Sequence, residues 1–239
     1  MADRDASDDW RRFDVASIPT KESTPQLDGF LAAVKATVPG SGPPTLLDVG
    51  CGSGKIARRL CEQGFSVTGV DVNPAAIRGA RQLAGDAPGR ALRFLEADFS
   101  ADRPPRIEGS PFDVVVCQLV LSIIGGPRQR RNLVRHLRAG LRPGGRLFLS
   151  ASGVSDSINP GYARLYAEDV HLTGERHSYY SRGRDGGILY MTHHFTTEEL
   201  TDLLRTEGFA GIGVTSEREA SSRRPDEAAY FLYATCRTA

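Results

Sequence analysis

The run LLDVGCGSGKIA, residues 46–57, decides how the chain is read. Leu46, Leu47 and Val49 make an apolar run that reads as a buried strand, and glycines then alternate at Gly50, Gly52 and Gly54. Helical spacing takes over immediately, with Ile56, Leu60 and Cys61 as the inward set. A glycine turn between a strand and a helix lets the backbone approach a ligand closely, with the free N–H groups of the helix start facing it. Alone, this suits several cofactors. Two details narrow it: Asp48 stands two residues before the first glycine, and Lys55 occupies the third position of a dinucleotide-type GxGxxG spacing.

Working outward, residues 65–71 (FSVTGVD) form a second strand, and Asp71 lies 21 residues beyond Gly50, where an acid at a strand tip can accept both hydroxyls of a ribose. Asn73-Pro74 supplies an N-cap and first helical residue, opening a helix through Ile77 and Leu83. Residues 91–99 alternate as a third strand ending in Asp98-Phe99. The apolar run within 112–124 reads as a strand buried on both faces. A helix from Pro127 carries Leu133, Leu137 and Leu141 on one face and Arg128, Arg131, Arg135, Arg138 and Arg142 on another. Pro143-Gly144-Gly145 then turns the chain into a fifth strand. Thr196 to Glu199 forms a capping box for a last helix through Leu200, Leu203 and Leu204, closed by Gly208. Residues 211–216 and 228–236 read as a terminal antiparallel pair joined by a charged loop, 217–227.

DVGCGSG, Asp71, Asp98-Phe99 and the Pro-Gly-Gly strand entry, in that order, resemble class I S-adenosylmethionine (SAM)-dependent methyltransferases of the small-molecule type. The resemblance covers residues 45–152 well and 196–236 in outline. It implies a doubly wound α/β fold: a seven-stranded, mostly parallel sheet with an antiparallel C-terminal strand and helices on both faces. It also implies SAM as cofactor. Asp48, Gly50, Cys51, Gly52 and Gly54 would form the turn at the methionine end, Asp71 and Val72 would meet the ribose, Asp98 and Phe99 the adenine, and Gln118 would lie near the sulfonium. Residues 1–44 are expected to be an N-terminal helical lid, in which Trp10 and Phe13 share a face and residues 24–38 form a helix. Residues 45–239 are expected to be the methyltransferase domain. Two other readings stay open: a nicotinamide-dependent oxidoreductase, disfavoured by Asp48 and the glycine spacing, and a SAM-binding module that transfers no methyl group.

Composition limits the partners. The net charge of +1 gives no electrostatic case for nucleic acid or an anionic membrane, so the arginine stripe reads as a solvated helix face. Residues 117–120 (CQLV) lack the (Asp/Asn/Ser)-Pro-Pro-aromatic motif of base amino-methyltransferases, and no Pro-Cys pair suggests attack on pyrimidine carbon. Cys117 therefore reads as core. The four cysteines form no CxxC pair, no apolar run spans a bilayer, and the acidic start lacks a signal-like core, so a cytoplasmic protein is expected.

The acceptor must be read from residues 153–195, a substrate-cap insertion after the fifth strand that is longer than a connection requires. A helix over 161–172 and a hairpin turning at Asp185-Gly186-Gly187 are expected. The segment holds His171, His177, His193 and His194 beside five tyrosines, as an aromatic small-molecule pocket would. No cysteine or acid accompanies the histidines at ligand spacing, so no metal is expected. Strand alternation puts Tyr190, Thr192 and His194 on one face and Met191, His193 and Phe195 on the other. His194, and secondarily Tyr180, are the candidate catalytic residues, histidine suiting removal of a hydroxyl proton. The hairpin's open edges could pair in a homodimer.

Overall fold

The computed structural model describes residues 10, 11, 13, 24–37, 42–85, 91–183, 185–221 and 226–239. More than half of the expected lid, residues 1–9 among it, lies outside them. A seven-stranded sheet has the order β3-β2-β1-β4-β5-β9-β8. Its members are β1 (Thr45–Val49), β2 (Ser66–Asp71), β3 (Leu92–Glu96), β4 (Phe112–Gln118), β5 (Leu141–Gly153), β8 (Ala210–Ala220) and β9 (Ala228–Arg237). Strands β1 to β5 pair in parallel, and β9 runs antiparallel to both β5 and β8.

The central strands are apolar on both sides because both faces are covered. On one face Leu47, Val49, Val115, Cys117, Leu147 and Leu149 pack on α4 (Pro127–Ala139) and α6 (Thr197–Thr206) through Leu133, Leu137, Leu200 and Leu204. On the other, Leu46, Val67, Val114, Val116 and Phe148 meet α1 (Pro25–Lys35), α2 (Lys55–Glu62) and α3 (Pro74–Ala84) through Leu27, Leu31, Leu60 and Ile77. On α2 the inward set is Ile56, Ala57 and Leu60, with Cys61 only half-buried.

The helix starts follow the sequence. Asn73 caps α3 by accepting from the Ala75 and Ala76 amides, with Pro74 in the first turn. Thr196 Oγ1 accepts from the Glu199 amide, capping α6 as the sequence predicts.

Two expectations need correction. Pro143-Gly144-Gly145 does not precede β5 but lies inside it. The pairing jumps from Phe112↔Leu141 to Val114↔Arg146, and Gly144 at φ +72° absorbs the extra residues as a bulge. The charged stretch from Glu217 is not all loop, since β8 continues to Ala220 with alternating burial. Charges on the solvent side of an edge strand are compatible with pairing.

The arginine stripe is also more engaged than a solvated face. Arg131 and Arg135 both bind Glu207, Arg138 donates to the Gly208 carbonyl, Arg128 pairs with Asp102, and Arg142 with Asp113. These contacts tie α4 to the end of α6 and to neighbouring loops.

After β5 the chain builds α5 (Pro160–Thr173) and a separate two-stranded sheet of β6 (Ser178–Arg182) and β7 (Ile188–His193). Arg130, 4 % exposed, holds this cap to α4 by donating to both Glu175 oxygens at 2.7 Å. Asp169 of α5 grips Arg182 of β6 through both carboxylate oxygens, which holds the Asp169 carboxyl below its usual range.

Candidate active site

The strand order reverses between β1 and β4, and a ligand crevice is expected outside the carboxyl ends of strands at that point. A cavity of about 610 Å³ opens there and continues under the cap.

At its inner end lies the glycine turn. The amides of Gly50 and Cys51 both donate to the Val70 carbonyl, fixing the turn against β2. Gly50, Gly52 and Gly54 all have positive φ. A Cβ at Gly50 would sit 2.2 Å from Val120 Cγ2, whereas one at Gly52 would meet open space. Gly50 is thus required for packing as well as conformation, and Gly52 brings bare backbone to the cavity wall.

Asp71 is built into the same turn. Its two carboxylate oxygens accept from the Gly52 and Asn73 amides, both at 2.9 Å. Burial pushes its carboxyl up, partly offset by these donors. Asp48, 2 % exposed, is pushed up to about 7 by burial and then by the nearby Asp71 charge. One Asp48 oxygen, Oδ2, and the Gln118 side-chain nitrogen are buried, in residues that line the cavity, without a protein partner among the described residues. Buried polar groups are nearly always hydrogen-bonded, so these two atoms are exceptions that call for a partner.

Cys51, Val72, Asp98 and Phe99 also line the cavity. Asp98 Oδ1 accepts from the amide and hydroxyl of Ser100, and its Oδ2 lies 3.8 Å from Arg11. Cys117 is fully buried with its thiol pushed up.

The outer end is aromatic. Trp10 and Phe13 pack on Tyr190 of β7 with ring centroids 4.5 and 5.4 Å away. Trp10 donates to the Ile123 carbonyl, and Asn73 Nδ2 donates to the carbonyls of both Trp10 and Phe13. These contacts hold Trp10 and Phe13 at the cavity wall.

The β6–β7 register pairs Tyr179 with Thr192 and Ser181 with Tyr190, so these four share a face, and all line the cavity with His194. Tyr180 pairs with Met191 and falls on the other face, yet it too borders the cavity. Its amide donates to Asp169. Alternation therefore makes Tyr179, not Tyr180, the β6 tyrosine that reaches His194, at 3.5 Å. His194 is 3 % exposed, and burial holds its pKa down to about 3, so the ring is neutral and only weakly basic at neutral pH. Tyr162 and Tyr166, two of the five tyrosines of the expected aromatic pocket, reach His194 through packing of α5 against the hairpin, and Arg182, which the sequence reading did not single out, borders the cavity from β6. Among the described residues, no three His, Cys, Asp or Glu side chains converge as a metal site.

The comparisons with known proteins agree with this geometry. A model for a methyltransferase domain matches residues 47–147, the span from β1 into β5. Sheet order and this match, which spans less than half of the chain, make it similar to class I SAM-dependent methyltransferases. Among similar chains, a SAM-dependent methyltransferase from Methanosarcina mazei has 26 % identity and a TM-score of 0.75, covering 90 % of this chain and 98 % of that one. The ubiquinone biosynthesis O-methyltransferase of Xylella fastidiosa is 37 % identical over 120 residues, which is 49 % of this chain and 45 % of the relative. The chain thus matches less than half the length of that curated relative. A Burkholderia thailandensis 1,6-didemethyltoxoflavin-N1-methyltransferase, solved with its substrate and S-adenosylhomocysteine, shares the fold at TM-score 0.59 and 22 % identity, covering 90 % of this chain and 78 % of that one.

Proposed function

We propose that the protein transfers a methyl group from SAM to a hydroxyl, amine or carbon of a small molecule. The observation that carries this is the single cavity running from the glycine turn to the aromatic cap, with the unpartnered Asp48 and Gln118 atoms at its inner end. The residues present suit the cofactor. Asp71 receives the ribose hydroxyls, being already fixed by the Gly52 and Asn73 amides. Asp98 Oδ2 takes the adenine amine, and Phe99 and Val72 supply apolar contact at the cavity wall. Asp48, Gln118 and the Gly50–Gly54 turn, with Cys51, hold the methionine end.

When bound, SAM supplies an electrophilic methyl on a cationic sulfur. The chain's own task is to hold the acceptor in line and exclude water. Tyr179, Tyr190, Thr192, Trp10 and Phe13 enclose the acceptor end, and the cavity volume suits a small molecule.

The test is calorimetric titration with S-adenosylhomocysteine, followed by incubation with methyl-labelled SAM and a panel of hydroxyl, amine and carbon acceptors. Binding with Kd well below ~1 mM is expected, and its absence at that concentration would sink the proposal. Asp71→Ala should weaken binding by about 1.5–3 kcal/mol, the size of a hydrogen bond to a charged group. Cofactor binding without transfer to any acceptor class would favour a SAM-binding module.

A further inference from the structure

At the outer end of the cavity the chemistry depends on the position of one proton. Tyr166 Oη and His194 Nδ1 are 2.6 Å apart, and both residues are buried. A phenol has one proton to donate and a neutral imidazole one N–H, so either group could be the donor. The surroundings of the phenol decide between them. Tyr166 is buried away from the cavity wall, and among the described residues its hydroxyl meets no hydrogen-bond partner but His194. Were Nδ1 protonated, it would donate to that oxygen and the phenol proton would have no acceptor among the described residues. A buried donor left in that way costs about 1–3 kcal/mol. With Tyr166 donating to a bare Nδ1, both groups are satisfied.

The ring proton is then on Nε2. Its protein contact is Tyr179 Oη at 3.5 Å, the outer limit of a hydrogen bond. His194 lines the cavity, so Nε2–H is a weakly satisfied donor at the ligand space. Tyr162 and Tyr179 frame it with ring centroids 4.8 and 5.4 Å from the imidazole. Burial among these rings, with His193 and His177 adding smaller effects, keeps the imidazole neutral.

We infer that the cap end is an oxygen-recognition subsite, in which Tyr166 fixes His194 as an Nε2–H donor to an oxygen on a flat ring of the acceptor molecule. The identification of that ligand as the methyl acceptor rests on the proposed function; the tautomer does not. His194 is a positioning residue in this scheme. Its one lone pair in the ring plane is engaged by Tyr166, so it takes no proton from the substrate.

The experiment uses the full chain with 15N-labelled histidine and long-range 1H–15N correlation spectra from about pH 5.5 to 8.5, bracketing the ordinary histidine pKa. His194 is assigned by the signals lost in His194→Gln. The Nε2–H pattern, unchanged over the range, is the expected result. An Nδ1–H pattern, or a His194 imidazolium titrating within the range, would overturn the inference. Tyr166→Phe should replace the fixed pattern by a mixture of tautomers, and retention of the wild-type pattern would refute the role given to Tyr166. As probes, phenol should shift the His194 signals and toluene, alike in shape but without oxygen, should not. Equal response to both, or response to neither, would refute oxygen recognition. Because no cofactor is added, these results stand apart from those of the S-adenosylhomocysteine titration.

Discussion

Replacing Asp48 by asparagine should make the protein more stable, and only on the alkaline side. Asp48 is 2 % exposed, lies beside Asp71, and has its pKa raised from 3.8 to about 7. The folded state therefore holds this proton more tightly than the unfolded chain. Stability from that proton is fully present below about pH 4, declines as pH rises, and is gone above about pH 7. The rise spans roughly three pH units at about 1.36 kcal/mol each, so ionised Asp48 costs on the order of 4 kcal/mol at pH 8. An amide of the same shape carries no charge and escapes that cost. Urea denaturation of wild type and Asp48→Asn at about pH 5 and pH 8 should give a wild-type stability that falls with pH by roughly 2.5–3 kcal/mol more than the variant's, since part of the loss already lies below pH 5. Asp71 titrates in both proteins, so only the difference between the two slopes counts. Parallel pH profiles would refute the reasoning, because Asp48 would then have the same proton affinity folded and unfolded.

Three more outcomes follow from other contacts. Gly50→Ala places a Cβ 2.2 Å from Val120 at φ +75°, so the urea midpoint should drop by the equivalent of about 1–3 kcal/mol; an unchanged midpoint would mean that the turn relaxes freely. Arg130→Met strands Glu175 in a site only 20 % exposed and should cost about 3–5 kcal/mol, with Arg130→Met/Glu175→Gln recovering part of it, read by thermal denaturation. Trp10 is the sole tryptophan of the sequence and lines the cavity, so S-adenosylhomocysteine should change the intrinsic fluorescence. A flat fluorescence titration despite calorimetric binding would show that the N-terminal segment stands away from the bound cofactor.

The sequence was most legible where chemistry and local geometry coincide. Gly50, Gly52 and Gly54 announced positive φ, Asn73-Pro74 and Thr196–Glu199 announced helix starts, and strand periodicity put Tyr190, Thr192 and His194 on one face. Each of these is fixed within a few residues of chain, by sterics and by the first hydrogen bonds of a turn or helix. Legibility failed where partners come from afar. Pro143-Gly144-Gly145 reads as a turn in isolation, but pairing with β4 absorbs it as a bulge. The arginines of α4 look solvated until α6 brings Glu207 within reach.

The cap divides along the same line. The sequence by itself determined the frame at the cavity's inner end, from Asp48 through the glycines to Asp71 and Asp98, because those residues sit at or just beyond strand ends whose order the chain dictates. It also placed His194 in the acceptor region. Only the tertiary structure decided what His194 can do there. Register across the β6–β7 hairpin gave it Tyr179 in place of Tyr180, and packing of α5 gave it Tyr166. The protonation state of a buried imidazole is set by the donors and acceptors around it, and folding supplied these from 15 and 28 residues away along the chain.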